Sequence, residues 1–111
     1  MINIVDNDIS FCDSEDVQHI YFLLYFTASW CGPCQKVKPL LEKLSQGFDP
    51  KTCVFCMCDI DENEDLCHNF QVRAVPTFIL MRGNRFVDET GGADIFRVHA
   101  LLKKHIGEMT E

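Results

Sequence analysis

Tyr21-Phe22-Leu23-Leu24-Tyr25-Phe26-Thr27-Ala28-Ser29-Trp30-Cys31-Gly32-Pro33-Cys34 is the segment on which the fold turns. Its stretch from Tyr21 to Thr27 is aromatic and aliphatic without alternation, the pattern of a central strand covered on both faces in a mostly parallel sheet. Downstream, Val37, Leu40, Leu41 and Leu44 fall at i, i+3, i+4 and i+7, which predicts an amphipathic helix from about Cys34 to Gln46. Pro39 should kink that helix, because it removes one backbone donor. Strand, Cys-x-x-Cys and helix in this order put the first cysteine at a helix N-terminus, beside unpaired backbone N–H groups.

On either side the elements alternate. Ile2, Ile4 and Val5 suggest a short first strand. A helical stretch is expected around Asp13 to His19, where Ser14 could cap and Glu15 and Asp16 suit a first turn. Thr52 to Asp59 reads as another buried strand, followed by a helix over about Glu62 to Phe70 with acids at its start. Thr77 to Met81 and Phe86 to Thr90, joined through Gly83-Asn84, read as an antiparallel hairpin. Ile95, Val98, Leu102 and Ile106 close the chain with an amphipathic helix. The predicted class is α/β: one domain over residues 1–111, with a central mixed sheet of about five strands flanked by about four helices.

Composition narrows the function. The chain has 111 residues, 47% of them hydrophobic, enough apolar mass for a core and too much for a disordered chain. Seventeen acids against 10 Lys plus Arg give a net charge of −7, which argues against nucleic acid and anionic membranes as partners. The first basic residue is Lys36, so no early positive region of the kind a targeting signal needs is present, and apolar runs fall short of the roughly 18 residues of a membrane helix. A cytoplasmic protein is expected. Seven cysteines, an odd count without an export signal, argue against a secreted disulfide framework, so most thiols should be reduced.

Helix-end groups favour an anion by about 0.3 to 2 kcal/mol, which lowers a thiol pKa by roughly 0.2 to 1.5 units. From a start near 8.5, that raises the thiolate fraction of Cys31 at neutral pH from about 3% towards tens of per cent. Cys34, one turn further in, should be less exposed, so Cys31 attacks an external disulfide and Cys34 resolves the mixed disulfide. One helical turn rises about 5.4 Å, within the roughly 4.4 to 6.8 Å Cα separation that a disulfide accepts, so both redox states can share a backbone. As a structural clasp so small a ring would contribute only about 2 kcal/mol. Pro33 suits the first helical turn and Gly32 leaves the backbone open to a substrate chain. A structural zinc half-site would need two further ligands, and no metal is expected.

Trp30-Cys31-Gly32-Pro33-Cys34 resembles the hallmark of the thioredoxin family, and the order and spacing of elements match over nearly the whole chain. The family's second signature, a proline before a strand, corresponds to Val75-Pro76-Thr77, and the glycine beside its active site corresponds to Gly92. The resemblance implies a thioredoxin fold with a cis bond before Pro76, which would leave the Val75 backbone free to pair with an extended substrate. It also implies a thiol–disulfide oxidoreductase that reduces protein disulfides, with Cys31 and Cys34 catalytic and Trp30, Gly32, Pro33, Val75, Pro76 and Gly92 forming the docking surface. No bound cofactor is implied. Electrons would come from an NADPH-dependent flavoprotein thioredoxin reductase and pass to partners such as peroxiredoxins, sulfoxide reductases or ribonucleotide reductase, and the protein would act as a monomer.

Two positions depart from the family. The aspartate commonly buried six residues before the nucleophile is replaced by Tyr25, and a lysine common near it by Met57. A lysine buried without its carboxylate would carry a desolvation penalty of several kcal/mol, so the two absences are coherent. Either the Tyr25 hydroxyl hydrogen-bonds near Cys34, or Tyr25 merely packs. Asp59 could serve as a substitute proton acceptor only if it turned inward. Resolution at neutral pH is expected to be slower than in relatives with the carboxylate. An alternative role is a thioredoxin-like binding or assembly subunit with weak redox activity. An oxidant or isomerase is disfavoured by Pro33 between the cysteines.

The remaining candidates have simpler readings. Cys56 and Cys58 would share one strand face and Cys53 the other, which spoils convergence on one ion, so these are expected as small buried hydrophobes. Cys12 and Cys67 are expected nearer the surface and more open to oxidation. His19, His68, His99 and His105 are expected in solvent. Asp61, Glu62, Glu64 and Asp65 complement a helix start, or bias partner choice. Trp30 is expected as a contact surface at the edge of the redox loop.

Overall fold

Strands β1 (Ile2–Ile4), β2 (Tyr21–Thr27), β3 (Cys53–Asp59), β4 (Thr77–Arg82) and β5 (Arg85–Gly91) form one mixed sheet in the order β1-β3-β2-β4-β5, in a computed structural model that describes residues 1–107. β1 and β2 run parallel to β3, while β4 is antiparallel to β2 and to β5. β2 is therefore the central strand, and every residue from Phe22 to Thr27 is buried. Its unbroken apolar run has the predicted cause: both faces are covered.

Helices α1 (Gly32–Ser45) and α3 (Ile95–His105) pack on one face, where Val37, Leu41, Val98 and Leu102 meet Leu23, Tyr25, Phe55 and Phe78. On the other face Leu66 of α2 (Glu64–Asn69) and Cys12 pack against Phe22, Leu24, Phe26 and Ile79. Each large side chain buried this way contributes about 1.5 to 3 kcal/mol before entropy is counted. The Tyr25 ring stacks on Phe78 from the neighbouring strand, with centroids 5.2 Å apart.

Among the described residues there are three α-helices rather than four. The stretch expected as a helix from Asp13 to His19 is a 3-10 turn at Glu15–Val17, preceded by another at Ser10–Cys12. Ser14 does cap, accepting from the Asp16 N–H at 3.3 Å. The α-helix fails because Gln18 turns its side chain back: Nε2 donates to the carbonyls of Cys12 and Ser14, at 2.6 and 2.9 Å. In an α-helix the Ser14 carbonyl would accept from the Gln18 backbone instead. α2 begins later than expected because Asn63, fully buried, spends its side chain on tertiary bonds to the Asn7 N–H and the Asp59 carbonyl.

Candidate active site

β2 runs out at Thr27, and the turn that follows hands the chain to α1. The Ala28 carbonyl accepts from the Cys31 N–H at 3.1 Å and from Gln35 Nε2 at 2.8 Å, which holds the loop to the first turn of the helix. Cys31 is the N-cap residue, in extended conformation, and Pro33 lies in the first turn, where a missing N–H costs nothing. The helix thus starts two residues earlier than apolar periodicity predicted, since periodicity does not register capping residues.

Cys31 and Cys34 are joined in a disulfide with a Cα separation of 5.3 Å. Cys31 Sγ accepts the Cys34 N–H at 3.2 Å, so one of the free amides at the helix start is aimed at this sulfur. Cys31 keeps 7% exposure and Cys34 none. Of the two residues, only Cys31 reaches the surface.

The two other signature segments converge on the same place. The Val75–Pro76 bond is cis, and the Val75 carbonyl lies 3.9 Å from Cys31 Sγ. Gly92, at φ +91°, donates its N–H to the Pro76 carbonyl at 3.0 Å, which ties the third segment to the second. Nothing approaches the space a Cβ would occupy at Gly32 or Gly92, so the backbone there is open. Trp30 is 67% exposed, and its indole Nε1 donates to Asp61 Oδ2 at 3.1 Å. Asp61 thereby orients the indole, a tertiary role absent from a reading of it as a helix-start charge.

Behind the disulfide, Tyr25 is fully buried, and its hydroxyl donates to the Cys34 carbonyl at 2.6 Å. The phenol reaches Cys34, but its hydrogen bond is to the backbone carbonyl and not to sulfur. Burial pushes the Tyr25 pKa up, and the neighbouring Thr27 hydroxyl offsets part of this. That approach falls short of a hydrogen bond, and Thr27 Oγ1 is a buried polar atom without a partner among the described residues. Met57 packs, half-buried, against the same apolar cluster. Asp59 Oδ1 accepts the Asp61 N–H at 2.9 Å, so this carboxylate serves the loop after β3.

The remaining cysteines divide by face. Cys53 packs on the α1–α3 side, and Cys56 and Cys58 on the other with Cys12. The expectation of a surface position for Cys12 is overturned, since it is 1% exposed. Its 3-10 turn rolls the thiol under the sheet. Burial pushes the Cys12 thiol up to about 11 and those of Cys53 and Cys56 to about 12, with Cys58 higher still. Cys67 is half-buried and lines a groove with Trp30 and Val75, and burial, together with Asp59, Asp61 and Glu64, raises its pKa. Among the described residues no group of three or more His, Cys, Asp or Glu is placed to hold a metal ion. Likewise, no helix among the described residues is long and apolar enough to cross a membrane. His19, His68 and His99 are exposed as expected, whereas His105 is not: its Nε2 lies 2.8 Å from Asp88 Oδ2 of β5.

The family pattern for thioredoxin matches residues 5–106. The chain belongs to the thioredoxin family. Thioredoxin-1 of Caenorhabditis elegans is 39% identical over 84 residues, 76% of this chain and 71% of the relative. A thioredoxin of Coprinus comatus is 32% identical over 84 residues, 76% of this chain and 79% of the relative. The crystal structure of Schistosoma mansoni thioredoxin superposes with a TM-score of 0.85 at 29% identity, covering 95% of each chain. With the paired cysteines in place, this thioredoxin-family chain is a thiol–disulfide oxidoreductase, and the alternative of a binding or assembly subunit with weak redox activity is not favoured.

Proposed function

We propose that the chain is a protein-disulfide reductase in which Cys31 attacks and Cys34 resolves. The observation that carries this is the Cys34 N–H directed at Cys31 Sγ at 3.2 Å, on the one cysteine of the pair that keeps any exposure. In the reduced protein the Cys31 thiolate attacks one sulfur of the substrate disulfide. A mixed disulfide forms, and the substrate's other sulfur leaves as a thiolate that takes up a proton. Cys34 then loses its proton and attacks Cys31 Sγ, releasing the second substrate thiol and closing the disulfide seen here. Two electrons and two protons pass to the substrate.

Trp30, Gly32, Pro33, Val75, Pro76 and Gly92 form the docking surface in this reading. Their support is convergence: open backbone at Gly32 and Gly92, an exposed indole, and the Val75 carbonyl beside the reactive sulfur. An extended substrate strand would pair with the Val75 backbone. Tyr25 would act by packing and by its hydrogen bond to the Cys34 carbonyl, Met57 by packing in the same cluster, and Asp59 by holding the loop that carries Asp61. We further propose a single cytoplasmic domain, recharged by an NADPH-dependent flavoprotein thioredoxin reductase and serving disulfide-bearing proteins such as peroxiredoxins.

Turnover tests this. With NADPH, a thioredoxin reductase and a disulfide-bonded protein, the chain should sustain NADPH oxidation. Cys31→Ser should abolish it, and Cys34→Ser should accumulate a covalent mixed disulfide on denaturing non-reducing gels. Turnover by Cys31→Ser equal to the parent would overturn the assignment of the nucleophile.

A further inference from the structure

The groove between α1 and α3 has no part in the dithiol chemistry, and its composition is unusual for this chain. It encloses about 250 Å³ and is lined by Leu40, Lys43, Leu44, Ile95, Phe96 and His99. Leu40 is 50% exposed and Phe96 is 80% exposed, although both sit on helices whose opposite faces are buried. On α1, Lys36, Leu40 and Lys43 recur at i, i+4 and i+7, so they share one face. On α3, Phe96 and His99 do so at i and i+3. Two apolar side chains thus face solvent across a helix–helix groove, with cationic side chains beside them.

Charge makes the groove distinctive. In a chain of net charge −7, α1 and α3 together carry six Lys or Arg and a single acid, Glu42. Asp94, which precedes α3, is engaged as its cap and lies 3.9 Å from Arg97. The acids concentrate in residues 6–16 and 59–65, segments whose apolar residues pack against the opposite face of the sheet. The thinnest dimension of the molecule is 20 Å, more than twice the screening length of about 8 Å at physiological salt. A ligand in the groove therefore meets the local cationic field rather than the net negative charge.

We propose that the α1–α3 groove is a docking site, separate from the dithiol, for an acidic amphipathic helix of a partner protein. Its apolar stripe lies between Leu40 and Phe96, and its carboxylates face Lys36 and Lys43, a helix-in-groove arrangement. The site borders the redox end of the molecule. Leu40 is six residues from Cys34, about 9 Å along the helix axis, and Phe96 is four residues from Gly92. Such a site retains a partner independently of the redox state and presents the partner's disulfide to Cys31.

The test uses the full chain with Cys31 and Cys34 replaced by serine and a synthetic Glu-rich helical peptide of roughly four turns carrying Leu and Phe on one face. Amide-resolved NMR titration should shift resonances of α1 and α3 around Leu40 and Phe96. The affinity should fall about tenfold between about 0.05 and 0.3 M salt. Phe96→Ser and, separately, Lys43→Glu should each weaken binding about tenfold, while the same substitutions in the intact dithiol protein leave reduction of a small aromatic disulfide unchanged. Both side chains are exposed, so neither change threatens the core. Equal binding of a Lys-for-Glu peptide, shifts elsewhere on the surface, or indifference to both substitutions would overturn the proposal. So would concentration-dependent dimerisation abolished by Lys43→Glu, which would make a second copy the occupant.

Discussion

At Cys31 the controlling quantity is one hydrogen bond. An amide donor 3.2 Å from Sγ in the oxidised protein faces a thiolate after reduction, and a charge-assisted bond is about twice as strong as a neutral one. Cys31 in the reduced protein should therefore alkylate at neutral pH about ten times faster than a free cysteine, as iodoacetamide kinetics with mass-spectrometric site assignment would show. Tyr25 acts differently, because its proton is held by the Cys34 carbonyl. Tyr25→Phe should cost about 1 kcal/mol of stability in denaturant titrations, through loss of that buried hydrogen bond, with little change in Cys31 alkylation. Tyr25→Asp removes a fully buried stacked ring at a cost of about 3 to 5 kcal/mol, yet supplies a proton acceptor behind Cys34. Resolution of the mixed disulfide should then accelerate at neutral pH. An unchanged stopped-flow rate in that variant would exclude proton acceptance as the limiting feature.

Among the elements, α3 is held at both ends by acids. Asp94 caps it, accepting the Phe96 N–H at 3.0 Å, so Asp94→Ala should lower stability by about 0.5 to 2 kcal/mol, read from the denaturation midpoint. At the other end Asp88 of β5 meets the ring of His105, while Tyr21 of β2 donates to the His105 carbonyl at 3.2 Å. The His105 contact, helped by the Glu89 N–H, holds the Asp88 carboxyl below the usual carboxylate value. A depressed carboxylate stabilises the fold above its unfolded pKa, and that contribution disappears as pH falls through the lower, folded value. Asp88→Asn should therefore flatten the pH dependence of the melting temperature below about pH 4, as melts across that range would show. The 3-10 turn at Glu15–Val17 shows the opposite relation between sequence and element. Ser14, Glu15 and Asp16 are sound helix-start residues, yet the Gln18 side chain claims the carbonyls an α-helix would need.

Across the whole molecule, burial sorts seven cysteines of one chemical type into distinct classes. With pKa values pushed to about 11 or 12, Cys12, Cys53 and Cys56 carry on the order of a thousandth or less of their population as thiolate at pH 8. Limited alkylation of the reduced protein at that pH should label Cys31 first and Cys67 more slowly, leaving Cys12, Cys53, Cys56 and Cys58 unmodified until denaturant is added. Rapid labelling of Cys12 in the native protein would contradict its placement beneath the sheet.

The sequence by itself determined the central strand, the two long helices, the hairpin, the redox motif and the opposite orientation of Cys53 and Cys56, because each depends on periodicity or on chemistry within a few residues. Tertiary structure alone decided that the Tyr25 hydroxyl ends on the Cys34 carbonyl, that Asp61 holds Trp30, that Cys12 is buried and His105 paired, and that Leu40 and Phe96 meet across one groove. These contacts join residues from different elements. Which partner a polar group or an exposed ring finds there follows from how the two helical layers close on the sheet, a packing outcome that no local pattern encodes.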